Sequence, residues 1–271
     1  MRHRRIDIPL TSPVSSLCWS GESLIDWAGR NRVFDVPSGE RGRDFGRTYR
    51  FDAAVQSASG RFAAIYERFG TKAVLFDGGK PIRELNRSFY HADSYEYPLV
   101  FLTHPDGREL IAHCPEAYNR IEMDDVLTGE RLTERANRKP DDVFHSRLAV
   151  SSDNSRLLSA GWIWHPVNTV STWSVAAAIA DATVLDSLGP PSGTTGTEIN
   201  DTVFVDADRL LLSANPDAEE LWEEGAPIRP GSLGVFDLRT NSVESLAKIE
   251  QTVGAMLWLG DDRVVGFHET P

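Results

Sequence analysis

Short apolar runs alternate with tight polar turns along this chain, and the same order recurs six times. The turns are Ser20-Gly21-Glu22, Ser59-Gly60-Arg61, Asp106-Gly107-Arg108, Asp153-Asn154-Ser155, Asp206-Ala207-Asp208 and Gly260-Asp261-Asp262. Counted from Gly21, Gly60, Gly107, Asn154, Asp208 and Asp262, their spacings are 39, 47, 47, 54 and 54 residues. The run before a turn covers residues 14–19, 99–103, 148–151, 202–205 and 255–259; the run after it covers 23–27, 62–66, 110–114, 157–160, 210–213 and 264–267. Two apolar runs joined by a Gly, Asp or Asn turn are the signal of a β-hairpin. Their near-continuous apolar character predicts strands buried on both faces. A unit of this length cannot bury its own apolar surface, so the period predicts a stacked or radial β-array forming one domain over residues 1–271.

A third run closes each of the first five units with a large apolar residue followed by Asp or a substitute: Val33-Phe34-Asp35, Leu75-Phe76-Asp77, Glu122-Met123-Asp124, Thr172-Trp173-Ser174 and Val235-Phe236-Asp237. In this the chain resembles the WD40-type β-propeller, whose repeat ends its third strand on a Trp-Asp pair and places a polar turn between its first two strands. The pair here is Phe-Asp three times, and the family's Gly-His dipeptide does not occur. The resemblance implies an all-β propeller, and it implies that the Asp of each pair is structural, supporting turns.

The sixth unit stops four residues after Val264-Val265-Gly266-Phe267, while Arg5-Ile6-Asp7-Ile8-Pro9-Leu10 is an alternating segment with no hairpin partner. Six blades are expected, the last completed by the N-terminal strand through pairing of residues 6–8 with the strand around Val265, which would remove two exposed edges. A five-bladed ring and an open sandwich are the alternatives. Insertions are uneven: residues 215–231 interrupt the fifth unit with an acidic stretch that reads as one or two helical turns, 188–196 is a Gly/Pro/Thr segment expected to be flexible, 175–185 is Ala-rich and predicts a short helix or an outer strand, and 131–142 is charged and expected at the surface.

Charge narrows the partner class. Asp and Glu number 40 against 28 Lys and Arg, a formal charge of −12, which disfavours phosphate backbones and excludes nucleic acid as the expected partner. A protein or peptide partner, basic in character, is expected instead. No apolar run has the roughly 18 residues of a membrane span, the start lacks the apolar middle of a secretion signal, and a cytoplasmic protein is expected, with Cys18 and Cys114 as buried thiols.

Catalytic signatures are missing from the sequence: it holds no Gly-x-Ser-x-Gly elbow, no His-Glu-x-x-His, no Cys-x-x-Cys and no dinucleotide fingerprint. No catalytic residue, metal ligand or cofactor is assigned. His104 and His113 flank one turn and are expected as neighbours across a hairpin. A Trp-bearing segment lies at 161–168, where Trp162 and Trp164 alternate onto one face with His165 and Asn168 beside them; it is a candidate platform for a partner, Trp being a favoured interface anchor, and also a candidate for packing between blades. The second candidate is the acidic insertion, with Glu219, Glu220, Trp222, Glu223 and Glu224. Two functions follow: a non-catalytic scaffold docking a protein partner, of a kind suited to inhibiting a basic enzyme or conferring immunity to a toxin, or a propeller hydrolase or lyase whose axial metal is held by acids such as Asp52, Glu67, Glu96, Asp153, Asp201 and Glu269.

Overall fold

The structure, a computed structural model, describes residues 5, 7–8, 10, 13–29, 32–42, 49–164, 167–218, 220, 224–249 and 253–267. Among these, the strands group into six antiparallel sheets in chain order. The first holds Cys18–Ser20, Ser23–Asp26, Arg32–Asp35 and Glu40–Arg41; the second Ala53–Gln56, Phe62–Tyr66, Lys72–Asp77 and Lys80–Asn86; the third Leu99–Thr103, Glu109–His113 and Glu122–Asp125. In the fourth, Val143–Phe144 and Ala149–Val150 share one edge of Arg156–Ile163, and Val167–Ser174 takes the other. The fifth holds Ile199–Phe204, Arg209–Ala214, Ser232–Asp237 and Ser242–Lys248, and the sixth the hairpin Met256–Gly260 and Arg263–Gly266. The first strands of sheets one to four lie beside one another in order, as do those of five and six. The pairing foreseen for residues 6–8 falls partly on Ile6, which lies outside the described residues; Asp7 and Ile8 are in no strand, and among the described residues Arg263–Gly266 pairs with Met256–Gly260 alone.

The core is a series of layers between consecutive sheets, and the two-residue pleat of each second strand divides its side chains between the layers on either side. Ala63 and Ile65 pack toward the first sheet with Trp27, Val74 and Phe76, while Phe62 and Ala64 pack toward the third with Leu99, Phe101 and Ile111. Leu110, Ala112 and Leu157 share the next layer with Met123 and Trp173, and Leu158 and Ala160 the next with Ile199, Leu210 and Phe236. Burial on both faces therefore holds for the second strands of sheets two to five. It fails at the two ends. Leu17 and Trp19 before and in the first sheet, and Leu257, Leu259, Val265 and Phe267 in and after the sixth hairpin, are all exposed, Trp19 to 63%, because alternate residues there face away from the neighbouring sheet.

Turn chemistry explains the repeat. At the tip between first and second strands, Gly107 sits at φ 89°, and Asn154 at φ 60° and Asp262 at φ 54° take the left-handed region in their own turns, Asn and Asp being non-glycine types that tolerate it. Asn154 adds a link, since its Oδ1 accepts from the Thr103 N–H of the preceding sheet at 3.0 Å. At the end of the third strand, Asp237 accepts from the Arg239 and Thr240 N–H groups at 2.7 and 3.0 Å, and Asp77 receives Arg61 through two bonds of 2.7 Å. In the third sheet the turn is held by Asp125, which accepts from Leu127 and Thr128 at 2.9 and 2.8 Å. Asp124 of the expected Met-Asp pair instead meets His113 Nε2 at 3.0 Å and Arg131 Nε at 3.2 Å, because the strand runs one residue further than the motif suggests.

Three insertions differ from expectation or resolve it. Residues 175–185 take the helical alternative: Val175–Ala180 is an α-helix capped by the Ser174 hydroxyl, which accepts from Ala177 N, and Ala182–Asp186 is a 3₁₀ turn. The Gly/Pro segment is pinned rather than free, since the Pro190 carbonyl accepts from Thr172 N at 2.8 Å and from its hydroxyl at 2.7 Å, covering part of the outer edge of Val167–Ser174. Within 131–142, Thr133 and Arg138 are buried: Arg138 Nε donates to Asp186 at 2.5 Å and its Nη1 lies 3.6 Å from Glu122.

Candidate functional site

In each meander of antiparallel strands, the loops from second to third strand and from one sheet to the next leave from the same end of the sheets. That end gathers the aromatic residues. Its centre is Phe144, fully buried and paired in register with Trp162 across the sheet. Cross-strand partners present their side chains on one face, and the two rings stack with centroids 4.0 Å apart and planes 6° apart. Tyr118 also stacks on Phe144, at 4.1 Å and 16°, so the phenyl ring is sandwiched. The Tyr118 hydroxyl donates to Asp142 at 2.6 Å; desolvation, and then this bond, push its pKa up to about 12.

Around this stack the rings turn edge-on, the geometry their quadrupoles favour. Trp164 is perpendicular to Trp162 at 5.7 Å, to Phe144 at 5.4 Å and to His91 at 5.6 Å. The segment that brings His91 here is organised by Arg87, which donates to the carbonyls of Gly70, Ala92 and Tyr95 at 2.6, 2.6 and 3.0 Å and lies over the Tyr95 and Tyr97 rings at 4.5 and 5.0 Å. Not all of this aromatic surface is used internally. Phe89 is 83% exposed, Tyr90 and Phe69 47% each and Trp164 43%.

Between Phe69 and Trp162 lies a cleft of about 250 Å³, whose lining includes Glu96, Arg147, Asn168 and Asn200. Arg147 sits where the inner strand of the fourth sheet is interrupted, at φ 42°. Its Nε donates to the Ala160 carbonyl at 3.2 Å, Nη1 to Asp201 at 3.0 Å, and both Nη1 and Nη2 to the Asn200 carbonyl at 3.3 Å. Asp201 also accepts from Met256 N at 2.7 Å; burial raises its pKa, and Arg147 offsets part of that. Asn168 faces Trp162 from the opposite neighbouring strand, and its N–H is held by Glu198 at 2.8 Å.

Of the expected site residues, Trp162, Trp164 and Asn168 come together at this end. Trp162 is half-buried, so for it the two readings of platform and packing both apply, while Trp164 is the exposed one. Glu220 and Glu224 are exposed in the fifth-sheet insertion; His165, Glu219, Trp222 and Glu223 lie outside the described residues. The sequence reading misses Phe69, Phe89, Tyr90, Tyr118 and Phe144, although the local density of Phe89, Tyr90, Tyr95 and Tyr97 was a usable signal. It also joins two histidines wrongly. His113 pairs in register with Leu99 at the far end of the hairpin from His104, and His104 binds Asp106. Among the described residues no group of three or more His, Cys, Asp or Glu side chains is arranged to hold a metal ion. Both thiols are unbridged, Cys114 buried and Cys18 partly so.

No family model and no curated protein matches the chain. Solved structures do. The β-propeller domain of Myceliophteria thermophila Cps50 (Swd1) aligns with 94% of this chain and 80% of that one, at 14% identity and a TM-score of 0.58. A chain of the mitotic checkpoint complex aligns with 100% of this chain and 83% of its own length, at 13% identity and a TM-score of 0.59. The likeness shows a β-propeller fold. No helix among the described residues is long and apolar enough to cross a membrane.

Proposed function

We propose that this chain is a non-catalytic, WD40-like protein-docking scaffold, one propeller domain over residues 1–271 acting in the cytoplasm, which binds a basic protein or peptide partner through its aromatic end. The supporting observation is the clustering of exposed rings there: Phe69, Phe89, Tyr90 and Trp164 occupy one end of sheets two to four around a buried stack. Exposed aromatic surface gathered in one place marks interaction sites, whereas single exposed apolar residues do not. The charge of −12 favours a basic partner through long-range attraction. One of the two solved likenesses belongs to a complex, the mitotic checkpoint complex, which fits a scaffold reading.

Photo-crosslinking tests this reading. A crosslinking residue at Phe89, on the aromatic end, is compared with one at Leu127, which is 58% exposed in a turn at the other end. Protein adducts from position 89 that Trp164→Ala diminishes are the expected result. Equal adducts from both positions, or none from 89, would sink the reading.

A further inference from the structure

We infer that the cleft between Phe69 and Trp162 receives a cationic side chain, a guanidinium or an ammonium, of the docked protein; this rests on the docking reading above. Some of the charges in the cleft are already spent. Arg147 is: all three of its guanidinium nitrogens donate, and Asp201 neutralises it at 3.0 Å. Glu96 is not spent in the same way. Its ion pair with Arg68 is long, at 3.9 Å, and both side chains remain over a third exposed, Arg68 39% and Glu96 35%. A loose pair of this kind is worth little in water, so the carboxylate is available to a closer cation.

The walls favour the same occupant. Trp162 and Phe69 both line the cleft, and aromatic rings attract cations, more strongly once water is excluded. An apolar group pressed into the cleft would instead desolvate Glu96 without replacing its hydrogen bonds, which is costly. An anionic group would meet Glu96 with like charge and find all but one of the Arg147 N–H donors occupied. At about 250 Å³ the cleft is smaller than the roughly 300–1,000 Å³ of sites for whole small molecules, which suits a single long side chain projecting from a larger partner. Asn168, also in its lining, offers a side-chain amide to that partner's backbone, whereas the Asn200 Nδ2 is spent on the Val253 carbonyl at 2.7 Å.

The test uses the full chain and four capped tripeptides, Gly-X-Gly with X as Arg, Lys, norleucine or Glu, titrated at low salt and followed by indole fluorescence or by NMR. The Arg or Lys peptide is expected to bind about tenfold or more tightly than the norleucine peptide, the effect of one charge pair plus a cation–ring contact. Which of the two binds better identifies the cation. Glu96→Gln is expected to remove that advantage and Leu127→Ala to preserve it, and added salt is expected to weaken binding of the cationic peptide selectively. Equal binding of the norleucine or Glu peptide, or no cationic binding at millimolar concentration, overturns the inference. Because Glu96→Gln removes one partly exposed charge, heteronuclear NMR spectra of the variant serve to verify its fold. Crosslinking from position 89 without cationic-peptide binding rejects the cleft assignment and leaves docking standing; the reverse result rejects docking alone.

Discussion

Phe144 and Trp162 stand opposite each other on neighbouring strands and stack at 4.0 Å with their planes 6° apart. The same pair is thus both core and support for the exposed Trp164, and substitutions should separate those roles. Phe144→Ala is expected to cost about 3–5 kcal/mol, as for other buried aromatic truncations, and to abolish crosslinking from position 89. Trp164→Ala is expected to cost about 1 kcal/mol or less while still reducing the crosslink. Urea unfolding followed beside adduct yield checks both, and equal loss of stability in the two variants would contradict the division.

Gly161 adjoins that stack, and its absent side chain is required by the backbone. A Cβ built there would lie 2.1 Å from the Phe144 carbonyl oxygen, within a strand whose partner is interrupted between Phe144 and Ala149. Gly161→Ala should therefore displace the inner strand and cost at least about 2 kcal/mol. Gly193→Ala should cost only about 1–2 kcal/mol through its φ of 73°, since nothing lies within 4 Å of its Cβ position. Midpoints of chemical denaturation rank the two.

His145 supplies a pH dependence. It is buried, shares a hydrogen bond with Ser159 at 3.1 Å and meets the Trp173 ring edge-on; burial lowers its pKa to about 4. The unfolded chain, near 6.5, binds the proton first as pH falls, so this contribution is fully present above about 6.5 and is lost progressively down to about 4, amounting to about 3 kcal/mol. Unfolding free energy measured from pH 7 to 4 should fall less steeply in His145→Gln than in the parent chain. Parallel curves would show that His145 is not the group responsible.

Ion pairs should divide by burial. Asp186→Ala leaves the buried Arg138 guanidinium without its 2.5 Å partner and should cost about 3–5 kcal/mol. Asp77→Ala removes a bidentate surface pair with Arg61 and should shift the unfolding midpoint far less. Thermal or urea unfolding of the two variants side by side is the check.

Local chemistry made most of the scaffold legible. Residues 62–66 and 99–103 are strands as read from their apolar runs, because alternation and turn residues act within a few positions. The site was only half legible. Trp162 and Trp164 announce themselves as neighbours in sequence, but Phe144 and Tyr118 reach them through strand pairing and loop packing that no local pattern encodes. Arg138 reads as a surface charge until Asp186, 48 residues on, is brought against it. The Pro190 segment likewise looks free until Thr172 is placed beside it.

The layered core also sets an order for local opening. Sheets two to four are each flanked by buried side chains on both sides, whereas the outward faces of the first and sixth are exposed. Where stability is a sum of contacts with immediate neighbours, the terminal layers are held by one contact instead of two. Amide hydrogen exchange should accordingly be fastest in strands Cys18–Ser20 and Met256–Gly260 and slowest in Phe62–Tyr66 and Glu109–His113. The aromatic end would then rest on the part of the molecule that opens last, keeping its rings in place while the two chain ends breathe.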